Sequence, residues 1–129
     1  MSQILDTPAS LAELVQYQDG AVVSQALVKS KAGTVSLFAF DAGQSLSEHT
    51  VPHDALVYVV DGEAEITVAG SAHTLKTGDV ILMPGGKPHA VAAPSRFKMV
   101  LTMMVPYCVS TYSSVGAIRD METGSTKGR

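Results

Sequence analysis

Three of the four histidines in this chain, His49, His53 and His89, are the residues whose type and spacing could do chemistry together. If residues 48–59 form an extended strand, positions 49, 51, 53, 55, 57 and 59 share one face, because side chains alternate along a strand. His49 and His53 would then point the same way as Val51, Ala55, Val57 and Val59, and those apolar residues would line a pocket around them. Pro52 leaves a second arrangement open, since a bulge or turn there would reverse the parity. An imidazole inside a protein needs a partner for each ring nitrogen, and a divalent metal is one such partner. Two or three histidines converging from different strands could hold zinc, iron, manganese, nickel or copper.

Other reactive types read as structural. His73 precedes Thr74 and Leu75 on a surface strand, where solvent satisfies it. Met99, Met103 and Met104 read as adaptable core filling rather than as thioether ligands for copper. Cys108 has no neighbouring histidine or cation in sequence to lower its pKa, which argues against a nucleophile. Asp41, Glu48 and Asp54 do not stand at spacings that identify a carboxylate pair, and Tyr58 falls at the parity opposite His49, on an outer face.

The elements that must position the histidines are strands. Residues 22–29 and 34–40 are rich in β-branched and aromatic types, with a turn at 31–33 between them. Residues 55–60 form an unbroken apolar run and 63–68 alternate; the intervening Asp61-Gly62 is expected to be a tight hairpin turn. Further turns are expected at 69–71 and 76–79, and further strands at 72–75, 80–83, 89–92 and 97–105. Short strands at this spacing indicate an all-β sandwich or barrel. A short helix is expected over residues 7–16, with Ser10 as cap, Glu13 three residues later, and Leu11, Leu14 and Val15 on one face. The resulting division is an N-terminal helical segment over 1–20, a barrel over 21–106 and a C-terminal tail over 107–129.

Residues 55–60 and 80–83 are apolar at both parities, so the outer face of that sheet should pack against something. A second subunit is the simplest candidate, which makes a homodimer the expected state; the N-terminal helix or the C-terminal tail is the alternative cover. Apolar types make up 46% of the chain and charged types 16%, with a net charge of −3 and scattered basic residues. That distribution gives no footprint for nucleic acid. The longest apolar stretches are too short to span a bilayer, and residues 1–6 do not read as a secretory signal. With one cysteine and no internal disulfide, a cytoplasmic protein without a membrane partner is expected.

Two glycine-led segments sharpen this reading. The first runs Gly43, five residues, His49, Val51, His53, Ala55, six residues, Gly62; the second runs Gly78, five residues, Pro84-Gly85-Gly86, Lys87-Pro88, His89. Gly62 and Gly78 should close turns, and the two prolines with Gly86 should make a rigid corner presenting His89 at the start of a strand. These segments resemble the two motifs of the cupin superfamily, and the likeness covers roughly residues 43–92.

The resemblance implies a small single-domain cupin, a double-stranded β-helix or jelly-roll barrel with the short N-terminal helix outside it. It also implies a metal held by two histidines and a Glu or Gln of the first motif and one histidine of the second. His49 and His89 match the first and last of these. Val51 and Ala55 stand where the second histidine and the acidic or amide residue would be, and neither can bind a metal. His53 is the candidate third ligand, or else a loop histidine facing solvent, because Pro52 and Asp54 are turn formers. The expected cofactor is therefore a divalent transition metal or none. The missing ligands favour a module that binds a small molecule in a dry pocket. The alternative is a metal-dependent enzyme, a dioxygenase, isomerase, decarboxylase or lyase, acting on a small molecule.

Overall fold

The computed structural model describes residues 6–104 of the 129-residue chain. The expectations for the tail over 107–129 and for Cys108 lie outside the described residues. Eight strands follow one another: β1 (Val22–Ser30), β2 (Gly33–Phe40), β3 (Ser45–His49), β4 (Asp54–Val68), β5 (Ser71–Lys76), β6 (Val80–Met83), β7 (His89–Ala92) and β8 (Phe97–Met104). Every pairing is antiparallel. One half of the curled sheet runs β1-β2-β8-β4-β6 and the other β3-β7-β4-β5, so β4 belongs to both.

The expected hairpin at Asp61-Gly62 is not there. β4 is a single 15-residue strand that passes straight through it. Its first part pairs with β6 and β8 and its second with β5 and β7. The pairing with β8 slips between Val59 and Asp61, a bulge at which the strand turns from one half of the sheet into the other. Gly62 has φ +84°, and a Cβ there would lie 2.2 Å from the Arg96 carbonyl oxygen. Asp-Gly thus supplies the same backbone freedom a hairpin would use, spent on a bend against β8. The real two-residue turn is Ala69-Gly70, both at positive φ, joining β4 to β5 between the paired residues Val68 and Ser71.

Alternation places one core between the halves. Ala55, Val57 and Val59 of β4 point inward with Phe40, Phe97 and Met99 from the first half, and meet Ala64, Ile66, Leu75 and Val91 from the second. Phe40 and Phe97 stack with centroids 4.5 Å apart, a contact worth about 0.5–1.5 kcal/mol beyond area burial.

The helix expected over 7–16 is reduced to one 3-10 turn, Leu11–Glu13, with no side-chain cap from Ser10. Ten residues are too few to hold a helix without packing, and here the packing favours an irregular strap. Leu11, Leu14, Val15 and Tyr17 cover Leu37, Ala39 and Val100 on the outer face of the first half. Lys98 Nζ donates to the Ala12 carbonyl and Tyr17 Oη to Asp61 at 2.6 Å. The alternative cover considered for this face, the N-terminal segment, therefore accounts for part of it. Among the described residues nothing covers the remainder: Leu56, Tyr58, Val80 and Leu82 are 38–55% exposed.

Asp41 ties the end of the strap to the barrel. It accepts bonds from the Gly20 N–H and from Arg96 Nε, each at 2.7 Å. The Gly20 bond, followed by the Arg96 guanidinium, lowers its carboxyl from 3.8 to about 2. A carboxylate depressed in the folded state stabilises fully above its unfolded pKa and loses that contribution as pH falls through the folded one. Asp41→Asn is expected to lower the thermal midpoint at pH 7, with the deficit shrinking below pH 3.8 and gone only once the pH falls well below 2. A deficit that persisted unchanged at pH 2 would show that the charge is not its source.

Candidate functional site

His49 is the last residue of β3 and His89 the first of β7, and the two are direct cross-strand partners. Their rings stand edge to face with centroids 4.5 Å apart. The corner between β6 and β7 makes this possible. Gly86 N–H bonds to the Val51 carbonyl and Gly85 N–H to Asp54 Oδ1, both at 2.8 Å. A Cβ on Gly85 would come within 2.4 Å of the Pro52 carbonyl oxygen, so only glycine lets the corner press against the 50–53 loop. Motif spacing assigns Gly85 no role, because its constraint comes from a loop more than thirty residues earlier.

His49 sits at the rim, exposed, and donates from Nδ1 to the Ser47 carbonyl at 2.9 Å, which leaves Nε2 as the nitrogen with a free lone pair. His89 is 4% exposed, and its Nδ1 is buried with no hydrogen-bond partner. Burial, and secondly the nearby His49, lower its pKa against a weaker pull from the Lys87 carbonyl. His89 is accordingly neutral at neutral pH.

The two rings open onto a cavity of about 50 Å³, whose remaining walls are Leu46, Ala55, Met83, Val91, Met99, Leu101 and Met103. Of the residues singled out from sequence, His49, His89 and Ala55 meet here. Val57 and Val59 point inward but are wholly buried in the core beyond the cavity. Val51 and His53 lie in the loop before β4 and are not among the lining residues. His53 is half-buried, with its own Nδ1 unpartnered. Sequence reasoning did not place the methionines at this site. Parity would have found Met83 and Met103, had it been known that both pair with Ala55.

Two imidazoles do not make a divalent site. Such a metal wants three or more protein ligands, and among the described residues no group of three or more His, Cys, Asp or Glu could hold one. His89 Nδ1 is buried without a hydrogen-bond partner, but where the resemblance calls for a charged or amide ligand the chain has Ala55.

A jelly-roll barrel with paired histidines at its mouth is the architecture of a cupin. A family profile described as a cupin domain matches residues 36–105, more than half of the chain, and the protein belongs to that family. The chain is 31% identical over 88 residues to an uncharacterised protein of Streptomyces coelicolor, an alignment covering 68% of this chain and 82% of that one. Among solved structures it is similar to a cupin superfamily protein from Desulfitobacterium hafniense, 36% identical with TM-score 0.75, covering 78% of this chain and 93% of the other. It is likewise similar to a conserved protein of unknown function from Streptococcus pyogenes, 31% identical with TM-score 0.75, covering 79% and 90%. No helix among the described residues is long and apolar enough to cross a membrane.

Proposed function

We propose that this cupin is a binding module rather than a divalent-metal enzyme, and that it takes a small guest between the apolar wall of its cavity and the His49–His89 pair. The observation that carries the reading is Ala55. It lies 1% exposed on the cavity wall, at the place where the resemblance calls for an acidic or amide ligand. The loss of that ligand leaves two imidazoles as the only polar side chains among nine lining residues. A cavity of about 50 Å³ is small, roughly a third of the apolar cavity that admits benzene. Methionine walls can shift to enlarge it.

The test pairs metal analysis with guest binding. Purified protein is expected to carry no stoichiometric zinc, iron, manganese or nickel, and small heteroaromatic probes such as pyrazole are expected to raise its thermal midpoint. The double variant His49→Ala, His89→Ala should keep the fold and lose the rise. One equivalent of any of those four metals, absent from the double variant, would sink the reading and favour the metal-dependent enzyme.

The reading includes a homodimer. The uncovered part of the outer face is a block of two cross-strand pairs, Tyr58 with Val80 and Leu56 with Leu82, at the edge strand β6. It continues the apolar surface that the strap already covers, and an exposed apolar block of this kind fits a second copy of itself. Light scattering should give twice the chain mass for wild type and the chain mass for Leu82→Glu. A wild-type monomer at all concentrations would refute the pairing.

A further inference from the structure

We infer that the guest best matched to this cavity is a cuprous ion, held by the imidazoles of His49 and His89 and the thioethers of Met83 and Met103. The inference rests on reading the cavity as a binding site and names its ligand class. Ala55 is the centre of the argument. In the sheet it pairs with Met83 of β6 on one side and with Met103 of β8 on the other. Side chains directly opposite share a face, and all three residues line the same cavity as the two histidines. The position where the resemblance calls for an oxygen ligand is thus flanked by two methionines.

The donor set is selective. It offers neutral nitrogen and sulfur and no anionic oxygen, and soft thioethers select Cu(I) over harder divalent ions. Charge points the same way. The cost of moving an ion into an apolar surround grows with the square of its charge, so without a carboxylate to offset it a monovalent ion is far less penalised than a divalent one. His89 supplies an independent observation: it is a buried imidazole on the cavity wall whose Nδ1 has no hydrogen-bond partner. His49 keeps Nε2 as its available donor, since its Nδ1 is bonded to the Ser47 carbonyl. A cavity of about 50 Å³ can hold one ion without its walls having to shift. The other methionine at the end of β8, Met104, points to the opposite face and is exposed, so it serves as a control.

The experiment is an anaerobic titration of the full chain with Cu(I) buffered by bicinchoninate under ascorbate, with zinc titrated in parallel. One equivalent of Cu(I) should bind and zinc should bind far more weakly. Met83→Leu and Met103→Leu, swaps that conserve volume and cost under about 1.5 kcal/mol, should each weaken Cu(I) by at least the roughly 10-fold seen on losing a supporting group at a metal site. Met104→Leu should leave it unchanged. Copper-edge absorption of the loaded protein should contain both sulfur and nitrogen scatterers. If Cu(I) binds but both methionine variants match wild type, or if zinc binds as tightly, the inference is overturned while the cavity remains a binding site. If Cu(I) does not bind but pyrazole does, the inference alone falls. If neither binds, the binding reading falls with it.

Discussion

Ala55→Glu is expected to turn the protein into a zinc binder and to make its stability depend on zinc. The new carboxylate would enter the cavity beside His49 and His89 and supply the third, charged ligand that a tetrahedral site needs. Without metal the variant should be markedly destabilised. Crowding by Met83 and Met103, Ala55's partners on the two flanking strands, costs about 1–3 kcal/mol. A lone carboxylate in an apolar cavity either costs several kcal/mol more or takes up a proton. Zinc at about 100 times its Kd would restore about 2.7 kcal/mol, roughly 10–20 °C in midpoint for a domain of this size. Wild type should not respond to the same zinc. Scanning fluorimetry with and without zinc, with metal content measured after dialysis, decides it. A variant as indifferent to zinc as wild type would mean that position 55 does not face the imidazoles.

The largest loss of stability is expected from Gly62→Ala. The added Cβ would sit 2.2 Å from the Arg96 carbonyl oxygen and 2.9 Å from the Phe97 Cα, both backbone atoms of or beside β8. Neither can withdraw without breaking the pairing of β4 with β8. Positive φ alone costs about 1–3 kcal/mol for a non-glycine residue, and the overlap should carry the total beyond about 4 kcal/mol, the range reserved for severe defects. Gly78→Ala is the control, because Gly78 has φ +96° but nothing within 4 Å of its would-be Cβ. It should lose the conformational part only. Urea midpoints of the two variants measure the difference, and equal losses would show that the approach of β8 is not the constraint.

That pair of glycines also marks how far the sequence could be read. Most of the strands and their alternation were legible, because period-two patterning is a local signal, and the meeting of His49 with His89 followed from the resemblance of the two motifs; β3 and the loop over 50–53 were not foreseen. Asp61-Gly62 was misread because positive φ between two strand-like runs looks the same whether the chain reverses or only bends. The difference lies in Phe97, thirty-five residues later. The 7–16 segment carried the marks of a capped helix, yet its apolar residues serve better lying across Leu37 and Ala39 than stacked along a helix. The apolar residues at both parities of 55–60 did divide between a core and an outer face. Met83 and Met103 could not be placed at the site from their type, since methionine fills cores too, and only the register of β6 and β8 against Ala55 puts them there.

The position of β2 between β1 and β8 sets when the barrel can be completed. Gly33 of β2 is matched with Met104, so one flank of β2 has no partner until nearly the whole described chain has been synthesised. Until β8 emerges, β1 and β2 can pair only with each other, a two-stranded ribbon that is marginally stable by itself. Such long-range closure is slow, on the order of milliseconds to seconds. During that interval the ribbon is open to mispairing with other nascent chains, which makes translation rate and early chaperone access determinants of yield.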